Sequence, residues 1–272
     1  MTGTVYANHA HVFPPGLNPD GSVARLLKLM DACGIQGAVC FAPFAHQAKE
    51  AGIRPNHWLA DAIRGEPRLR GFGTVDFAAA SMRDQVKETR DLGLVGLKLH
   101  PNSQEFDVLC PRAMEAYAAA EEMGLFVTFH TGVHAYRLSH TALWKFDEVA
   151  HHFPNLRFSM EHMGGYHYFG EALAVLFNRF PPPWAKDKKC NVFAGLASVF
   201  TQHQNRMWYL RPEQILEIIL QTSAEQCIFG LDFPYNLERE TNMGLETIRT
   251  LPIPEEQKGL ILGANLRREL HW

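Results

Sequence analysis

The stretch Pro111-Arg112-Ala113-Met114-Glu115-Ala116-Tyr117-Ala118-Ala119-Ala120-Glu121-Glu122-Met123-Gly124-Leu125-Phe126-Val127-Thr128-Phe129-His130 holds one copy of the pattern that decides the fold. Its first part opens with proline, is rich in alanine and stops at Gly124, which reads as a helix over Pro111 to Met123. Its second part, Leu125 to His130, is a short apolar run rich in Phe and Val, which reads as a buried strand. The strand closes on a polar residue, His130.

The same order recurs on both sides. Strand-like runs span Thr4 to His11, Gln36 to Ala42, Arg70 to Asp76, Leu94 to His100, Leu156 to His162, Asn191 to Leu196 and Cys227 to Asp232. Helix-like runs span Ser22 to Cys33, with Ser22 as N-cap and Gly34 as stop, Ser81 to Leu92, and Pro212 to Leu220. Strands alternating with helices predict a parallel sheet. Eight such units in roughly 250 residues predict a closed (β/α)8 barrel forming one domain over residues 1–272. An open doubly wound sheet is the second choice, weakened because no Gly-x-Gly-x-x-Gly follows an early strand. Arg179 to Lys189, with Pro181-Pro182-Pro183, reads as a connecting loop.

Composition narrows the function classes. The chain has 272 residues, 46% hydrophobic and 20% charged, with a formal net charge of -3. Such a balance favours neither nucleic acid nor an anionic membrane surface. No apolar run reaches membrane-spanning length. Met1-Thr2-Gly3-Thr4 has no basic or apolar leader character, so a cytoplasmic location is expected. The five cysteines, Cys33, Cys40, Cys110, Cys190 and Cys227, are widely spaced and read as reduced thiols. The expected partner is a small-molecule substrate, and a homodimer is compatible with the sequence.

Barrel enzymes build their sites at the C-terminal ends of the strands. Here those ends carry His9-Ala10-His11, Lys98-Leu99-His100, His130, His162 and Asp232. Residues i and i+2 of a strand share a face, so His9 and His11 would project side by side, as chelation of one metal ion requires. His-x-His also arises by chance in a chain with 14 histidines. Five polar strand ends at one rim do not, because burying them is costly unless they pair or bind metal.

This constellation resembles the amidohydrolase superfamily, most closely its amidohydrolase-2 branch, which includes lactone hydrolases and aromatic-acid decarboxylases such as aminocarboxymuconate-semialdehyde decarboxylase. The resemblance rests on His9-Ala10-His11, Gly96-Leu97-Lys98-Leu99-His100-Pro101, His130-Thr131-Gly132, His162-Met163-Gly164-Gly165 and Gly230-Leu231-Asp232-Phe233-Pro234-Tyr235. The tail Leu262 to Leu270 is similar to the branch's closing helix. One departure stands out: Ala7 occupies a position where the family often has an acid. The resemblance implies His9, His11, His130 and Asp232 as ligands of one divalent metal ion, zinc first and manganese second. Such an ion brings the pKa of a bound water to near 7. The resemblance also implies His162 as an acid/base or electrophilic group and Asp232 as a proton acceptor.

Lys98 and Arg137 are the candidates for a substrate's anionic group, and a carboxylated Lys98 bridging two metals is the less favoured alternative. Arg206 carries the same expectation more weakly. His134, His140, His167 and His203 read as rim or supporting residues, and His151-His152 as charge at a helix end. Phe13, Trp58, Tyr136, Tyr166, Tyr168 and Phe233 read as packing or pocket lining. The expected activity is hydrolysis of an amide or lactone of a small organic acid. The alternative is non-oxidative decarboxylation of an aromatic or unsaturated acid.

Overall fold

The protein is described by a computed structural model covering residues 4–79, 81–182, 184–185 and 189–272. Eight strands follow one another around a closed barrel: β1 (Val5–His11), β2 (Ile35–Phe41), β3 (Leu69–Gly73), β4 (Gly96–Leu99), β5 (Phe126–His130), β6 (Phe158–Glu161), β7 (Val192–Leu196) and β8 (Cys227–Phe233). Every neighbouring pair is parallel, and β1 meets β8 to shut the ring. The (β/α)8 expectation holds, and the open sheet is ruled out.

Helices α1 (Val23–Cys33), α2 (Ala45–Ala48), α3 (Pro55–Ala62), α4 (Met82–Asp91), α5 (Pro111–Glu122), α6 (Trp144–His152), α7 (Gly165–Arg179), α8 (Pro212–Gln221), α9 (Glu238–Thr250), α10 (Glu255–Gly259) and α11 (Asn265–Leu270) fill the connections and the tail. The first shows how local chemistry sets the boundaries. The Ser22 hydroxyl accepts from Arg25 N–H at the N-terminus of α1, and Gly34 ends it in left-handed backbone at φ 68°. Between those stops, Leu26, Leu29, Met30 and Cys33 turn inward. The loop expected after Arg179 begins where α7 ends, while Pro183 and residues 186–188 lie outside the described residues.

The lumen is layered. Phe41, Phe72, Phe126 and Phe193 form a chain of rings 5.7–6.0 Å apart, packed with Val39 and Ile228 and closed off by Leu266 and Leu270 of α11. Lys98 Nζ lies 4.9 Å from the centre of the Phe41 ring. The histidines gather beyond it, toward the C-terminal rim. All five cysteines are free. Among the described residues, no helix is long and apolar enough to cross a membrane.

Candidate metal centre

The donors converge because β1 is irregular. Its register shifts between Ala7 and Ala10, and His9 adopts left-handed backbone at φ 70°. Plain alternation would send Asn8 and His9 to opposite faces. Instead both reach the same carboxylate: Asn8 Nδ2 donates to Glu161 Oε1 at 2.9 Å, and His9 Nδ1 lies 2.9 Å from Glu161 Oε2. His9 and His11 do face each other, with Nε2 atoms 3.2 Å apart. The pairing predicted from the spacing is therefore present, but a bulge creates it. His162 (φ 65°), Ser198 (φ 56°) and Asp232 (φ 60°) share the left-handed conformation. For residues with a Cβ this costs on the order of 1–3 kcal/mol each, and such strain concentrates where a site dictates geometry.

The hydrogen-bond partners determine which ring nitrogen faces inward. With Glu161 ionised, its Oε2 accepts from His9 Nδ1 as its Oε1 accepts from Asn8 and from the Ser159 hydroxyl at 2.6 Å, and His9 Nε2 keeps its lone pair. His162 Nδ1 donates to the Ala197 carbonyl at 2.7 Å, which leaves its Nε2 as an acceptor. His9 Nε2 is 3.3 Å from Asp232 Oδ1, and His11 Nε2 is 3.8 Å from the same oxygen. Donor atoms of His9, His162 and Asp232 all lie within 4.8 Å of one another. The Ser198 hydroxyl donates to Asp232 Oδ2 and itself accepts from Asn236 Nδ2 at 2.9 Å, which fixes the carboxylate with Oδ1 toward the histidines.

Burial, joined by the nearby Lys98 charge, holds His9 and His11 far below the usual imidazole range, and burial with the neighbouring His100 does the same for His130. His162 falls to about 3 for the first two reasons. These rings are neutral at physiological pH, the form that ligates metal. Burial pushes Glu161 up and Lys98 down, and the charge of each opposes the shift of the other. Burial also raises the Asp232 carboxyl, against the pull of the Ser198 hydrogen bond.

His130 Nε2 is buried without any hydrogen-bond partner. An orphaned buried polar atom costs about 1–3 kcal/mol. Its ring stacks on His100, 3.8 Å centre to centre, and stands 4.8 Å from the His162 ring. The neutral nitrogens and the fixed carboxylate oxygen of His9, His162 and Asp232 make a donor set of the kind that holds a divalent cation, with His11 Nε2 beside it and the unpartnered His130 Nε2 at the same rim.

Beyond the donors opens a cavity of about 340 Å³, whose walls include His100, His134, Gln204, Asn205, Trp208 and Tyr235. Lys98 does not line it. The side chain is fully buried one layer deeper, with Nζ 3.2 Å from His9 Nε2. Arg137 is exposed and also outside the cavity wall, as are Arg206, His167 and His203. His140 lies 4.0 Å from Asp107 and His152 Nδ1 lies 2.8 Å from the Glu148 carbonyl, both remote from the donors. None of the six aromatics named from sequence lines the cavity, whereas Phe44, Trp208 and Tyr235 do. Sequence reasoning gave Glu161, Ser198 and Trp208 no role. Glu161 carried a legible signal, a carboxylate beside His162 at the end of an expected strand; Ser198 and Trp208 sit in an irregular segment that has no periodic pattern.

The sequence model of the amidohydrolase family matches residues 10–270. The chain belongs to this family. Members of the amidohydrolase-2 branch are metal-dependent enzymes that include hydrolases and decarboxylases. No curated protein matches this amidohydrolase in sequence. Solved structures do match its fold. A 5-carboxyvanillate decarboxylase from Sphingomonas paucimobilis is 17% identical, with a TM-score of 0.74 over 99% of each chain. A Pseudomonas putida protein assigned as a 2-pyrone-4,6-dicarboxylic acid hydrolase is 17% identical, with a TM-score of 0.70 over 100% of this chain and 98% of that one. A dihydroxybenzoic acid decarboxylase from Polaromonas, solved with bound manganese, is 15% identical, with a TM-score of 0.67 over 99% and 97%. At such identities the likeness is one of fold.

Proposed function

We infer that this amidohydrolase is a metal-dependent hydrolase of a small amide or lactone, with His9, His11, His130 and Asp232 holding one divalent ion. The observation that carries the reading is the convergence of His9 Nε2, His11 Nε2 and Asp232 Oδ1 within 3.2–3.8 Å of one another, with the orphaned His130 Nε2 at the same rim. When bound, the ion would supply a Lewis acid and lower the pKa of a coordinated water. The rest is done by side chains. Asp232, anchored through Oδ2 by Ser198, presents Oδ1 as a proton acceptor. His162, anchored through Nδ1, presents Nε2 as a second acceptor within reach of Asp232, which suits proton transfer to a leaving group after attack. Trp208 packs 5.3 Å from the His162 ring and helps exclude water.

Decarboxylation of an aromatic or unsaturated acid is the second reading, favoured by the decarboxylases among the structural relatives. The cavity wall favours hydrolysis. Among the described residues it holds amides, hydroxyls, imidazoles, aromatic rings and the Asp232 carboxylate, and neither Lys98 nor Arg137 reaches it to hold a free carboxylate. Zinc is the first ion to test and manganese the second, the latter because a structural relative holds it. The free thiols support a reducing, cytoplasmic setting. The deciding experiment incubates the zinc- and manganese-loaded protein with lactones, amides and hydroxybenzoic or unsaturated acids, following acid release and carbon dioxide separately. Acid release from a lactone or amide supports the reading. Carbon dioxide alone transfers it to the decarboxylase.

A further inference from the structure

Ala7, two residues before His9, offers no carboxylate to it. Across the lumen, Glu161 brings one to His9 from a different strand. Its side chain is fully buried, with Oε2 2.9 Å from His9 Nδ1. Its other oxygen takes Asn8 Nδ2 at 2.9 Å and Ser159 Oγ at 2.6 Å. Three donors from two strands thus fix a single carboxylate. The backbone makes room for it: a Cβ on Gly195 of β7 would stand 2.3 Å from Glu161 Cδ. Only glycine at 195 lets Glu161 lie flat against β7 and reach His9.

We propose that Glu161 is the positioning residue of the metal centre: it holds the proton of His9 on Nδ1 and thereby aims the Nε2 lone pair at the cation. A carboxylate on the far nitrogen of a ligating histidine fixes its tautomer and raises its basicity, and loss of such a partner weakens metal binding about 10–100-fold. The chemistry of the obvious variant sharpens the claim. In Glu161→Gln the amide oxygen can keep Asn8 and Ser159, which turns its NH2 toward His9. His9 Nδ1 must then accept, and the proton moves to Nε2, where it blocks the metal. The inference rests on the metal-site reading above but not on the reaction.

The test uses the full-length protein, zinc alone and no substrate. Nitrogen-15 NMR of the metal-free wild type should show His9 protonated on Nδ1, and Glu161→Gln should move that proton to Nε2. Competition with a chromophoric chelator should weaken zinc binding about 10–100-fold in Glu161→Gln. Gly195→Ala, which displaces the carboxylate without removing it, should lose affinity likewise. Ser159→Ala removes one of the three donors that fix the carboxylate but leaves Oε2 facing His9, so it should weaken zinc binding less than Glu161→Gln does and keep the proton on Nδ1. A wild-type His9 protonated on Nε2 overturns the proposal, and this reading needs no variant to fold. Unchanged zinc affinity in a folded Glu161→Gln also overturns it. Wild-type protein that takes up no zinc sinks the metal-site reading instead, while the tautomer still tests Glu161.

Discussion

Lys98 Nζ lies 3.2 Å from His9 Nε2, so a buried ammonium points a donor at the lone pair that a metal would use. Lys98 of β4 and His100, just past its end, both turn inward, as their spacing predicts, but a barrel interior is stacked in layers. His100 reaches the cavity and Lys98 stops below it. The charges of Glu161 and Asp232 hold the lysine's pKa up against its burial, and a counter-charge role is expected for it. Lys98→Met should destabilise the zinc-free protein by about 3 kcal/mol, as removing one partner of a buried charge pair does. Zinc would restore positive charge beside those carboxylates. Thermal unfolding with and without zinc checks this: the drop in Tm should be larger without it, and equal drops would contradict the role.

Removal of a donor should empty the centre. His9→Ala, His11→Ala and His130→Ala should each reduce zinc from about one ion per chain to under about a tenth, because an incomplete set binds far more weakly. Elemental analysis after gel filtration gives the count. Full occupancy in the His130→Ala protein would transfer that ligand role to His162, which the geometry already groups with His9 and Asp232.

His162 is expected to act on protons rather than retain metal. His162→Ala should keep its zinc and lose turnover by about 10²–10⁴-fold, the usual contribution of a positioned acid or base. Asp232→Asn should lose both metal and turnover. Parallel metal counts and rate measurements separate the two residues, and joint loss in His162→Ala would make it a ligand.

Arg137 precedes a short turn over Leu138–His140 and faces solvent. Arg137→Ala should leave kcat/KM within about twofold of wild type, since surface changes away from a site are near neutral. A tenfold rise in KM would show that the side chain swings over the cavity.

The barrel was legible because strand and helix signals alternate with little interruption, and the ends of β1, β5, β6 and β8 advertise themselves with polar residues in apolar runs. Boundaries moved where turn residues compete: β4 begins at Gly96 rather than Leu94, and β3 ends at Gly73 rather than Asp76. What escaped depends on geometry that no local pattern encodes. The bulge at His9 has no Gly or Pro to mark it. Glu161 was visible as a residue, but its meaning depends on Gly195, a neighbour across the sheet. Arg137 sits in a loop at the right rim, but only the turn reveals that it points away.

The hydrogen bond between His9 and Glu161 joins strands that are not adjacent in the ring and lie 152 residues apart in sequence. Neither β1 nor β6 can build it alone, so it depends on distant parts of the barrel having come together. A fragment that stops after β4 carries both histidines of the opening motif yet lacks the carboxylate that meets His9. The arrangement is thus a property of the assembled ring and of no local stretch of chain.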